Sequence, residues 1–340
     1  MKNILITGGA GYIGSHTAVA LEESGYTPII IDDFSNSEKS VLVGLKNILG
    51  KEVKTYEGDC NDKSLVQKIF RENKIDGVIH FAASKAVGES TKIPLRYYSN
   101  NIGSLLVLLE VMKEYDVKNI VFSSSCTVYG QPDVLPVLES TPRKEAESPY
   151  GNTKKICEDI LHDHVKSKAG VKVIALRYFN PIGAHPSSEI GELPIGVPAN
   201  LIPFVTQTAV GIREKITVFG SDYETKDGSC VRDYIHVLDL ADAHVKSLEY
   251  LDSKQDDFID IFNVGTGNGN TVLEVIKAFE KVSGKNLNYE IGARRAGDIE
   301  KVWANTDKVN KLLGWEAKYS LEDSLRDSWN WQKKLSGMEE

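Results

Sequence analysis

Cysteine is scarce in this chain. Cys60, Cys126, Cys157 and Cys230 are the only four in 340 residues, and none are spaced as CxxC or as zinc ligands. That usage fits a reducing cytoplasm and offers no metal site. Long apolar runs are lacking too. Nothing approaches the ~18 residues that a membrane span needs, and the opening run Ile4–Thr7 meets glycines before it could serve as a secretion signal. Positive charge is not in excess. Forty Lys and Arg stand against 48 Asp and Glu, a formal charge of −8, which argues against a nucleic-acid or anionic-membrane partner. Internal repeats and low-complexity segments are absent. A small phosphorylated ligand remains compatible, since it needs only a local cluster of cations and backbone N–H groups.

What is present is an ordinary apolar content of 41% in a chain long enough for one large domain and a smaller one. Short β-branched runs at 3–7, 28–32, 53–57, 77–81, 119–123 and 171–178 alternate with helical patterns at 13–24, 64–73, 94–115 and 150–167. Several of the short runs are apolar almost throughout, as strands covered on both faces are. The alternation predicts an α/β fold: a doubly wound, mostly parallel Rossmann sheet with a smaller mixed α/β substrate domain. After Phe179-Asn180-Pro181, proline and glycine become frequent. Further strands are expected at 216–219 and 261–264, a short extended piece then a helix over 231–250, and helices ending near 211 and spanning 271–283 and 321–335. The expected division is residues 1–180, rejoined by 231–264, for the dinucleotide, with 181–230 and 265–340 for the substrate.

The first expected strand runs into Gly8-Gly9-Ala10-Gly11-Tyr12-Ile13-Gly14. Gly8, Gly11 and Gly14 form GxxGxxG, whose glycines permit a tight turn, a close approach to pyrophosphate and close helix–sheet packing. The following helix start would present free N–H groups to the phosphates. Asp32 ends the second strand, 18 residues beyond Gly14. A carboxylate there accepts from ribose hydroxyls and repels the extra phosphate of NADP, so NAD is the expected cofactor. Asp33 could share that work. Asp59, after the third strand, either accepts from the adenine amine or caps a turn. Phe81-Ala82-Ala83 leaves room for the cofactor backbone.

Tyr150 and Lys154 stand four residues apart, on one face of a helix. A phenol is a poor base at neutral pH, and a neighbouring ammonium favours its ionised form. Ser125 closes the fifth strand, placed to bond a substrate hydroxyl as it becomes a carbonyl. Each element alone is commonplace; their order along the chain is specific.

The long ordered motifs TGGAGYIGSH at 7–16, KAVGES at 85–90, SSSCTVYG at 123–130, SPYGNTK at 148–154, RYFNPIGAHPS at 177–187, VRDYIHVLDLADAH at 231–244 and NVGTGNG at 263–269 resemble those of the UDP-glucose 4-epimerases, a branch of the extended short-chain dehydrogenase/reductase family. The resemblance implies reversible C4 epimerisation of a UDP-hexose through a transient 4-keto sugar with bound NAD, in a homodimer built on the helices at 94–115 and 150–167. It implies that Tyr150 is the base and acid, Lys154 its electrostatic partner, and Ser125 the active-site serine with Thr127 beside it. To the cofactor pocket it adds Tyr12, Ile13, Asn36, Ser37, Lys85, Asn100 and Tyr178. To the UDP-sugar it assigns Asn180, Asn200, Leu201, Arg232, Arg295 and Asp298, together with Lys85. Arg232 and Arg295 carry forked, permanent charges suited to a diphosphate, although Arg232 could instead pair with Asp233. Val302 falls where members narrow for simple hexoses carry tyrosine, which implies some acceptance of UDP-N-acetylglucosamine and UDP-N-acetylgalactosamine. Ala83-Ser84 and Asn100-Asn101 depart from the family pattern around the cofactor. No acid follows Ser125, unlike in the related dehydratases, and retention of Ser125, Tyr150 and Lys154 argues against a mere NAD sensor.

Overall fold

A computed structural model describes residues 1–295 and 298–338. The chain first lays down β1 (Asn3–Thr7), α1 (Tyr12–Glu23), β2 (Thr27–Asp32), α2 (Ser40–Leu49), β3 (Lys54–Glu57), α3 (Lys63–Glu72), β4 (Ile75–His80), α4 (Val87–Ser90), α5 (Pro94–Glu114), β5 (Asn119–Ser125), α6 (Pro149–Lys166) and β6 (Lys172–Tyr178). It continues through β7 (Asn180–Ile182), α7 (Leu201–Ala209), β8 (Ile216–Phe219), β9 (Val231–His236), α8 (Val237–Asp252), β10 (Phe258–Val264) and β11 (Gly269–Thr271). It ends with α9 (Val272–Ser283), β12 (Tyr289–Gly292), β13 (Lys301–Val302), α10 (Asp307–Leu313) and α11 (Leu321–Leu335).

Seven strands form one sheet in the order β10-β6-β5-β4-β1-β2-β3, every pair parallel. Ile4 and Ile6 point into one apolar layer with Val19, Leu45, Leu240 and Leu248; Leu5 points into the other with Phe70, Leu108 and Leu161. Both faces are thus covered, which is why the strands read as unbroken apolar runs. The strand order reverses between β1 and β4. The carboxyl ends of strands flanking such a reversal leave a crevice where ligands bind in open α/β sheets. A smaller unit is built on β9, which pairs with β7 and β13 in parallel and with β11 antiparallel. A separate two-stranded pair, β8 with β12, packs near it. Its own core holds Ile202, Val205, Phe279, Leu325 and Trp329.

One boundary falls differently from the expected one. The stretch 231–236 belongs to the small sheet, since β9 is its central strand, and the chain returns to the large sheet only with α8 and β10. Helix α2 was not expected from the sequence. It has no side-chain cap at Lys39 and carries Val41, Val43 and Gly44, poor helix formers. Gly44 is there for space: a Cβ would stand 2.2 Å from the Glu189 carbonyl oxygen. Helix α10 and the two-residue β13 also escaped the periodicity, being too short to show one.

Candidate active site

The cofactor side is shaped by close backbone approach. Gly8 turns the chain with φ +68, a left-handed conformation that suits glycine, and the Gly11 N–H donates to its carbonyl at 3.1 Å. A Cβ on Gly14 would lie 2.3 Å from that same Gly8 oxygen, and one on Gly8 would lie 3.0 Å from the Ala82 nitrogen. So α1 can start this close to β1 and β4 only without side chains. The N-cap, Gly11, makes no side-chain capping bond, and the first turn holds no acid, leaving helix N–H groups for an anion. Tyr12 donates its hydroxyl to the Gly183 carbonyl at 2.7 Å, and Ile13 packs against the core.

The structure divides labour between the two aspartates that sequence left open. Asp32 is buried and accepts from Ala10 N (2.9 Å), Phe34 N (2.9 Å) and Ser37 Oγ (2.8 Å), bracing the glycine turn against the loop after β2. Asp33 is exposed and caps Ser35, with Asn36 exposed beside it. Asp59 has the geometry of a turn cap, accepting from Asn61 N and Nδ2 at 2.8 and 2.9 Å. The Ala82 N–H donates to Thr7, and the Phe81 ring lies 4.6 Å from that of His244. Asn100 bonds Ser84 and Asn61 on a partly open face. Its neighbour Asn101, not singled out from sequence, is the buried one. It accepts from Ser84 N (2.8 Å) and donates to Ser84 O (3.1 Å) and Thr153 Oγ1 (3.0 Å), tying the loop after β4 to α6. The signal was available in helix phase: Tyr97, Asn101, Ser104, Leu105 and Leu108 form the buried stripe of α5, and Asn100 is off it.

The catalytic candidates meet where β5 ends and α6 begins. Ser148 caps α6 by accepting from Gly151 N, and Pro149 occupies its first turn. Tyr150 and Lys154 are 9% and 3% exposed. Lys154 Nζ donates to the Ser123 carbonyl at 2.6 Å and lies 5.9 Å from the Tyr150 ring centre. The Tyr178 and Ser123 hydroxyls bond each other. Ser125 Oγ accepts from Thr127 N (3.2 Å) and Thr127 Oγ1 (3.0 Å). A Cβ on Gly151 would meet Thr127 at 3.4 Å, an ordinary contact distance, so α6 lies directly against the serine turn. Burial pushes the Tyr150 phenol well up, the Tyr178 hydroxyl adds to this and Ser125 opposes it. Burial likewise brings the Lys154 ammonium down to about 8.

On the substrate side, Arg232 bonds only backbone carbonyls, of Val231 at 2.9 Å and Glu300 at 3.5 Å. Among the described residues no carboxylate pairs with it. Asp233 is engaged elsewhere, accepting from Thr266 N, Thr266 Oγ1, Gly267 N and Ala304 N. A guanidinium without a counter-ion suits an incoming anion. Arg295 pairs with Asp298 at 2.7 Å and lies over the Phe219 ring at 5.3 Å. Gln131, another residue not foreseen, joins this loop to the serine turn through Asp298 O and Glu300 N. Asn180 heads β7; Asn200 occupies the N-cap position of α7, before Leu201, without a side-chain capping bond. Val302 departs from the gate expectation. It is 1% exposed, registered against Arg232 and packed among Cys126, Val128, Phe179 and Ile299, so neighbours fill the volume that valine was expected to free.

The donor set fits NAD: a glycine turn open to pyrophosphate, Asp32 at the end of β2, and Lys154 beside Tyr150 at the reversal of strand order. A cation as buried as Lys154 costs stability. Its depression to about 8 corresponds to a net cost of about 3 kcal/mol. Below pH 8 the folded chain bears this cost in full. Between about 8 and 10.5 it fades, because there the unfolded chain binds more protons and stability rises with pH. Lys154→Met should therefore abolish turnover yet raise the melting temperature of the ligand-free protein at pH 7, the gain shrinking towards pH 10. Thermal melts across that range check this; a lower melting temperature at pH 7 contradicts it.

Comparison with known proteins agrees with this geometry. The family model described as GDP-mannose 4,6 dehydratase matches residues 5–328. A UDP-glucose 4-epimerase of Bacillus subtilis is 53% identical over 329 residues, 97% of this chain and 96% of that one. UDP-glucose 4-epimerase 2 of Arabidopsis thaliana is 51% identical, over 97% and 95% of the two chains. The crystal structure of the Bifidobacterium longum UDP-glucose 4-epimerase, in complex with NAD+ and UDP, superposes with a TM-score of 0.95 at 47% identity, covering 99% of this chain and 100% of that one. Matched end to end at such identity, with the same fold, the chain belongs to the UDP-glucose 4-epimerase family.

Proposed function

We propose that this enzyme interconverts UDP-glucose and UDP-galactose by inverting C4 with resident NAD. The observation that carries the reading is the burial of Tyr150 and Lys154 one helical turn apart beside Ser125, with Arg232 in the adjoining small sheet paired with no carboxylate among the described residues. NAD, when bound, would supply the acceptor and donor for the C4 hydride. Tyr150 accepts the O4 proton and later gives it back. The ligand-free site holds this phenol neutral, so ionisation depends on positive charge from Lys154 and from the cofactor side. Ser125, held by Thr127, bonds the oxygen that changes between hydroxyl and carbonyl. Arg232 and Arg295 grip the diphosphate, a fixed handle about which the 4-keto sugar turns to present its other face. Tight nucleotide binding with a loosely held hexose is what this requires, since strong contacts to one face would oppose the turn. Water elimination is disfavoured because Cys126, Thr127 and Val128 follow Ser125 and supply no acid.

Tyr150→Phe should reduce turnover of UDP-galactose by at least about a hundredfold with the fold intact by circular dichroism. Undiminished turnover would remove Tyr150 from the mechanism.

N-acetyl hexoses are proposed as weaker substrates. With Val302 packed rather than lining open space, acceptance requires its cluster to yield, so kcat/KM for UDP-N-acetylglucosamine should fall at least about tenfold below that for UDP-glucose. Val302→Tyr should abolish this activity, and overpacking should cost roughly 1–3 kcal/mol of stability. No N-acetyl turnover above background in the wild type would end the idea.

A homodimer through α5 and α6 is also proposed. Leu105, Leu108, Leu109 and Met112 are committed to the core, which leaves Leu95 and Leu106, 82% and 44% exposed, for the partner. The unpaired buried thiols fit a reducing cytoplasm. Sedimentation at micromolar concentration should give twice the chain mass of 37.6 kDa; the single-chain mass would refute the dimer.

A further inference from the structure

Two residues expected at the ligands, Lys85 at both the cofactor and the UDP-sugar and Asn200 at the UDP-sugar, converge on a carboxylate that the proposed reaction does not use. Glu192 follows the Ala184–Gly191 bridge and precedes α7. Its side chain is 11% exposed. Oε1 accepts from Asn200 Nδ2 at 2.6 Å and stands 3.9 Å from Lys85 Nζ. Tyr12, at the start of α1, also feels this charge, which adds to burial in raising its phenol.

The backbone carrying Glu192 is fixed. Trp331 Nε1 on α11 donates to the Glu192 carbonyl at 3.0 Å. Its indole fits closely over Gly191, where a Cβ would meet the ring at 2.5 Å. The carboxylate is thus a partly buried anchor, while Lys85 and Asn200 are exposed side chains on the segments to either side. Exposed amide and ammonium groups without such an anchor would sample many rotamers, and each ligand would bear the cost of ordering them.

We propose that Glu192 is a positioning residue that orients Asn200 towards the UDP-sugar and Lys85 towards the phosphates from one shared oxygen, and so couples the two nucleotide sites. This rests on the reading of Lys85 and Asn200 given above. The long contact to Lys85 is weak and readily surrendered to a diphosphate. Once Lys85 turns away, Oε1 serves Asn200 alone and holds its amide more firmly. Such coupling is reciprocal, each ligand favouring the other to the same degree. Glu192 touches no reacting atom, so its effect belongs in KM and in UDP affinity rather than in kcat.

The test uses the purified holoenzyme, steady-state kinetics with UDP-galactose, and calorimetric titration with UDP. Glu192→Ala should raise KM about tenfold and weaken UDP binding in parallel, with kcat within about twofold of wild type. Glu192→Gln keeps the volume and an oxygen for Asn200 but loses the charge, and should raise KM about threefold. It carries the test alone if the alanine variant does not fold. Asn200→Ala should resemble Glu192→Ala, and the double variant should be no worse than the more impaired single one, because one interaction is being removed twice. Unchanged KM in the Glu192 variants, a loss confined to kcat, or additive losses would each overturn the role. Wild-type turnover of UDP-galactose is measured first. Its absence overturns the proposed function and this role with it, whereas normal wild-type turnover with unaltered variants overturns the role alone.

Discussion

Arg177 and Glu158 meet inside the protein, their side chains 3% and 1% exposed, through two bonds of 2.9 and 2.7 Å. Neither charge could be left there alone. Removing one partner of such a pair typically costs about 3–5 kcal/mol, because the survivor stays buried without compensation. The remaining valences are satisfied as well. Glu158 accepts from Ser124 Oγ and Arg143. Arg177 donates to Tyr129 Oη and to the Glu139 carbonyl, and Tyr129 donates to Asn263 on β10. One ion pair thereby joins β5, β6, β10, α6 and the long loop after the serine turn. Its effect on chemistry is geometric. Glu158 lies one turn beyond Lys154 and two beyond Tyr150 on the same helix face, so pinning it sets the rotation of α6 and presents the other two to Ser125.

Asp233 does the corresponding work in the small sheet. Burial raises its carboxyl, and the bonds from Thr266, Ala304 and Gly267 pull it back. By taking those donors it fixes the loop after β10 and the chain just beyond β13. The adjacent Arg232 is left with carbonyls for company. Among the described residues, the substrate-side cation is thus left without a carboxylate because its neighbouring acid is fully occupied, a condition invisible in the dipeptide Arg-Asp.

That contrast marks how far the sequence could be read. The glycine turn, Asp32 and the Tyr150/Lys154 pair are legible because local backbone and helical spacing dictate them, and the large sheet follows from strand–helix alternation. Features set by packing between distant segments are not legible. Asn101 lies on the buried stripe of α5 while Asn100, the residue named by the resemblance, faces its partly open side, since a one-residue change of phase turns a helix side chain by about 100°. Val302 reads as a pocket residue until Cys126, Phe179 and Ile299 are seen around it. Gly44 looks like a helix fault until the Glu189 carbonyl is found against it. Glu192 has no motif at all; its position depends on a tryptophan 139 residues away.

The path of the chain carries a further consequence. It passes from the large unit to the small one after β6, returns after β9, leaves again after β10, returns once more with α10, whose Val309 and Leu313 lie in the large core, and leaves last for α11. Two bodies joined by a single strand of chain can be separated, swapped or recombined at one splice. These two are laced together. A substrate unit from a relative could be transplanted only by matching all five junctions at once, and a cut at any one of them would leave both halves incomplete. Variation in sugar preference is therefore open to the chain through single side chains and loops, and closed to it through exchange of modules.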